Sequence, residues 1–83
     1  SVALVDFNLR DGPTGRVVAE RLIGRGGISV IFVTANPAQI ESPPSGAVGY
    51  VQKPFTPQAI LGAVSYVAGS EATPPAGLHL FER

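Results

Sequence analysis

The chain has no cysteine, no methionine and no tryptophan among its 83 residues. Without cysteine there is no disulfide framework, no thiolate chemistry and no cysteine-held zinc. Neither sign of charge is in excess: six Lys and Arg residues balance six Asp and Glu residues. The basic face that draws a protein to nucleic acid or to a membrane surface is therefore not expected. No apolar run approaches the roughly 20 residues of a spanning helix, and no basic segment precedes the first apolar run, as a secretory signal requires. These absences favour a cytoplasmic protein of one domain, near the size at which a single core is only marginally stable. Because the first residues already read as a core strand and no initiator methionine precedes them, the chain is expected to be a piece of something longer.

What is present alternates between two periods. Residues 2–6 (VALVD), 28–34 (ISVIFVT) and 47–52 (AVGYVQ) are short apolar runs, as in strands covered on both faces. Residues 14–24 predict a helix with Val17, Val18, Leu22 and Ile23 on one face and Arg16, Glu20 and Arg21 elsewhere, stopped by Gly24, Gly26 and Gly27. After the second strand, Asn36 as cap, Pro37 at the first position and Gln39 in capping-box position predict a helix, kept short by Pro43 and Pro44. The last helix, about 57–68, has Thr56 as cap and Pro57 as its start, with Phe55 packing back on Ile60. Its buried stripe is expected to be Ile60, Leu61, Val64, Val67 and Ala68. Residues 1–69 form the domain, and 70–83 read as a C-terminal tail anchored only by Leu78, Leu80 and Phe81.

Strands alternating with helices imply parallel strands joined by right-handed crossovers, and ligands of such sheets sit outside the carboxyl ends of the strands. There the first run ends in Asp6, the second in Thr34, and the third runs through Gln52 into Lys53. A carboxylate, a hydroxyl and an ammonium converging at one edge suit phosphoryl transfer: a nucleophile for phosphorus, a donor to its oxygens and a neutralising charge. Singly, each residue also has a plain reading: a turn or capping aspartate, a β-branched strand residue, a solvated surface lysine. Their shared position at three consecutive strand ends is what points to chemistry. His79 reads as a plain surface histidine, and "GRGG" at 24–27 as a turn rather than a phosphate loop, because it follows a helix.

The segments "ALVDFNL", "VIFVTA" and "GYVQKPF" resemble, in order and spacing, the later part of a response-regulator receiver domain. "NLRDGPTG" and "FVTANP" look closest to receivers attached to sigma-like domains in alphaproteobacterial general-stress regulators. The resemblance implies a flavodoxin-like, doubly wound parallel sheet, an α/β fold truncated at its N-terminus to the family's strands 3-4-5 with three helices. It makes Asp6 the residue phosphorylated by a sensor histidine kinase or phosphotransfer protein, with Thr34 and Lys53 on the phosphoryl group. Mg²⁺ would be held by Asp6 and the backbone carbonyl of Asn8. Ala35 and Tyr50 would be switch positions, and the Lys53–Pro54 bond would be cis. The output partner would be a sigma-like or other output domain, or an anti-sigma factor.

In the family, an acidic pair ahead of these segments supplies much of the magnesium site, and Asp11 and Glu41 are misplaced to replace it. By itself the piece is expected to be inactive, and either molten or paired as a homodimer through its open strand edge or the face of the last βα unit. Two other readings stay open. An aspartate-nucleophile phosphohydrolase would need a general acid where Asn8 stands, and an amide cannot deliver a proton. A phosphate-independent interaction module, a pseudo-receiver, would use its apolar face and Leu78, Leu80 and Phe81 as the adhesive surface.

Overall fold

The three apolar runs become three parallel strands of one sheet. A computed structural model describes residues 1–7, 14–40 and 42–81. Its elements are β1 (Val2–Asp6), α1 (Thr14–Gly24), β2 (Ser29–Thr34), a single 3₁₀ turn (Pro37–Gln39), β3 (Ala47–Gln52), α2 (Pro57–Val67) and β4 (Leu78–Leu80). The sheet order is β1-β2-β3-β4. Val2 pairs with Ser29 and Asp6 with Val33, while Phe32 pairs with Tyr50 and Thr34 with Gln52.

β2 has a strand on each side and a helix over each face, and Val30, Ile31 and Phe32 are fully buried. That is why its sequence is apolar without alternation. Successive side chains still go to opposite faces. Val5, Val30, Phe32 and Ala47 pack with Ala19 of α1, and Ile31, Val51 and Leu78 pack with Ala63 of α2. Each large apolar side chain so buried contributes about 1.5–3 kcal/mol.

Both helices keep part of the expected stripe, Leu22 and Ile23 in α1 and Ile60 and Val67 in α2, but each centres it on an alanine that was not expected. In α1 the fully buried residue is Ala19, with Leu22 and Ile23 beside it at i+3 and i+4, whereas Val17 and Val18 are exposed. The small alanine lets the helix approach closely, and Arg16 pairs with Glu20 at 3.4 Å on the outer side. In α2 the stripe is Ile60, Ala63 and Val67, and Leu61 is 67% exposed. The start of α2 is as the sequence indicates: the Thr56 hydroxyl accepts the Ala59 N–H at 3.1 Å and Pro57 opens the helix.

Two further expectations are corrected. Asn36 makes no side-chain cap, and the short helix is only a 3₁₀ turn. The donor that a cap would satisfy goes to the backbone instead: the Gln39 N–H donates to the Asn36 carbonyl at 3.1 Å. The described residues therefore form two α-helices rather than three. The stretch read as a tail supplies β4, which pairs antiparallel with β3, so the sheet is mixed rather than wholly parallel. The described residues thus make an α/β fold with an open four-stranded mixed sheet and two helices. Among the described residues no helix is long and apolar enough to cross a membrane.

Candidate functional site

The sheet ladder runs one residue past each strand end and fixes the rim. The Phe7 N–H donates to the Val33 carbonyl at 2.9 Å, and the Lys53 N–H donates to the Thr34 carbonyl at 2.8 Å. Asp6, Thr34 and Lys53 consequently leave the sheet at the same edge. Asp6 and Lys53 stand on strands separated by β2, about 10 Å apart at the usual strand spacing, and the lysine stem spans that gap. Its Nζ lies 3.1 Å from Asp6 Oδ1 and 3.0 Å from Oδ2.

This ion pair forms the charged part of a cleft of about 460 Å³ lined by Leu4, Asp6, Val33, Lys53, Phe55 and Ile60. Phe55 and Ile60, expected to meet as a staple, share this wall. The side chains of Lys53 and Asp6 are 37% and 57% exposed, and a pair so open to water is worth about 0–1 kcal/mol. It therefore opens at little cost, leaving the ammonium able to move to another anion.

β2 presents Val33 to the cleft, and alternation turns the neighbouring Thr34 away from it. Thr34 is 1% exposed, and its hydroxyl oxygen is engaged by the Asn36 N–H. Ala35 is exposed beside it. The Lys53–Pro54 peptide bond is cis, as the resemblance implied. Asn8 lies outside the described residues, as do Asp11 and Glu41. Among the described residues no group of three or more His, Cys, Asp or Glu side chains is placed to hold a metal.

Tyr50 is half-buried on β3, three residues before Lys53. Its ring lies 4.9 Å from the His79 imidazole with an interplanar angle of 17°, and 5.9 Å from Phe81. This contact went unseen in the sequence. The available signal was the period of two in "LHLF" after Pro75 and Gly77, which reads as a strand once an edge is there to receive it. Comparison with protein-family models, with curated proteins and with solved structures gave no match in any of the three.

Proposed function

We propose that these residues carry the phospho-accepting centre of a receiver-type signalling switch with a flavodoxin-like parent fold. The observation that carries the reading is the Asp6–Lys53 pair: two side chains 47 residues apart, brought together at 3.0 Å on the carboxyl rim of parallel strands. An Asp6 oxygen bonds to phosphorus as the bond from phosphorus to the donor histidine nitrogen breaks, the electron pair leaving on the imidazole. Lys53 moves from the carboxylate to the phosphoryl oxygens, where it offsets their charge. Thr34 joins them only if the 35–40 segment shifts and frees its hydroxyl.

Mg²⁺ takes one or two carboxylates together with waters and phosphate oxygens. Asp6 fits one such position, and an ion bound there would offset the repulsion between carboxylate and phosphoryl group. Among the described residues Asp6 is the acidic side chain at this rim, so the remaining ligands would be waters, phosphoryl oxygens and groups outside the described residues.

The test is acetyl-phosphate labelling, with Mg²⁺, of the native polypeptide that carries these residues, read by intact mass. One phosphoryl group is expected on the wild type and none on Asp6→Asn, with Lys53→Ala slowed by about 100-fold. An unlabelled wild type overturns the reading. One observation favours the pseudo-receiver instead: Lys53 already occupies both Asp6 oxygens while the Thr34 hydroxyl is engaged elsewhere. On that reading, beryllofluoride with Mg²⁺ leaves the spectrum of the polypeptide unchanged.

A further inference from the structure

The face of the sheet that α2 covers is only partly closed. Alternation sends Leu4 and Asp6 of β1 to the same face as Val33, which stands across from Asp6 in the register. Toward β3 this face is sealed, with Ile31 and Val51 buried together with Ala63. Over β1 the cover stops. Leu4 is 44% and Phe55 43% exposed, and both line the cleft of about 460 Å³ together with Val33 and Ile60. That volume is in the range of a pocket for a small organic molecule, about 300–1,000 Å³.

The rest of the lining is Asp6 and Lys53, of opposite charge and 3.0 Å apart. This combination selects against simple ions. An anion that takes Lys53 leaves the Asp6 carboxylate beside it without a partner, and a cation that takes Asp6 does the same to the ammonium. A ligand with both charges on one carbon replaces the internal pair by two pairs, with no net change of charge in the cleft. The internal pair is held weakly, because both side chains are open to water, so it parts at little cost. Exchanging ion pairs gains little by itself. The favourable term comes from a hydrocarbon body that covers Leu4 and Phe55.

We propose that the cleft is a binding site for a free α-amino acid with an aromatic or branched aliphatic side chain. Its carboxylate takes Lys53, its ammonium takes Asp6, and its side chain lies against Leu4, Val33, Phe55 and Ile60. The inference stands on the cleft alone and requires no phosphoryl transfer. Both uses draw on the same two charged groups, so at any one moment they exclude each other.

The experiment follows the methyl resonances of Leu4 and Ile60 in the native polypeptide during titration with L-phenylalanine. Three relatives each lack one part of that ligand: glycine the apolar body, hydrocinnamate the ammonium and phenethylamine the carboxylate. In the wild type, phenylalanine is expected to half-saturate at a concentration about tenfold or more below each of them. Two substitutions should change the order of the ligands. In Asp6→Asn, hydrocinnamate is expected to bind at least as tightly as phenylalanine; in Lys53→Gln, phenethylamine is. Loss of the fold cannot produce this crossing, since it removes all four ligands together, and in that event the wild-type order decides. Phenylalanine no tighter than glycine overturns the apolar contact and the proposal with it. Hydrocinnamate equal to phenylalanine in the wild type reduces the cleft to an anion site and overturns it equally, as do resonances unmoved by any of the four. None of these results touches the phospho-acceptor reading, which acetyl-phosphate labelling decides by itself.

Discussion

The two edges of the sheet are built on opposite terms. At one, β1 ends in a carboxylate, has a neighbour on a single side and leaves Leu4 44% exposed above an open cleft. At the other, β4 caps β3 with a buried Leu78 and lays an imidazole on Tyr50. An edge proposed to admit an anion needs water and a movable cation. An edge that must hold a ring needs close backbone approach and apolar anchors. Both are supported by the same buried strand, β2.

Removing what the two edges share should have the largest effect. Phe32 is fully buried and lies 5.2 Å from Phe7 near β1 and 6.4 Å from Phe81 after β4. Phe32→Ala is expected to cost about 3–5 kcal/mol, enough to abolish a cooperative urea transition in so small a chain. Leu78→Ala sharpens the comparison instead. A loss of about 2–3 kcal/mol should speed amide exchange at Leu78–Phe81 and leave β1 amides unchanged; equal acceleration at both edges would contradict the separation.

Thr56→Ala removes the cap bond to Ala59, at about 1 kcal/mol. Because Ala59 is also the residue against which Gly77 packs, the thermal shift should come with faster exchange around β4 and not around β1. The smallest effect is expected from Lys53→Ala. Its exposed ion pair predicts a change of about 0–1 kcal/mol, visible as a nearly unaltered melting curve, although phosphoryl labelling should fall steeply.

The same contrast explains what could be read in the sequence. β1, β2 and β3 were legible because a strand covered on both faces announces itself by uninterrupted apolar residues, and α2 because Thr56 and Pro57 mark its start. The meeting of Asp6 with Lys53 followed from parallel topology. The orientation of Thr34 did not, since that depends on which of two neighbours, Val33 or Thr34, β2 turns toward the cleft. The stripe on α1 was misplaced because Val17 and Val18 outweigh Ala19 in hydrophobicity, whereas the packing selects Ala19 for its size. β4 escaped because a period of two over so few residues among prolines and glycines marks a strand only once an edge is there to receive it. Its identity is set by Gly49, 30 positions before the His79 carbonyl it accommodates.

The stacked pair also makes the molecule its own optical gauge. With two tyrosines and no tryptophan in the chain, its near-ultraviolet emission comes from Tyr50 and Tyr66, and only the former lies flat against an imidazole. A change in that emission is therefore expected when this margin of the sheet opens, without a dye or a label.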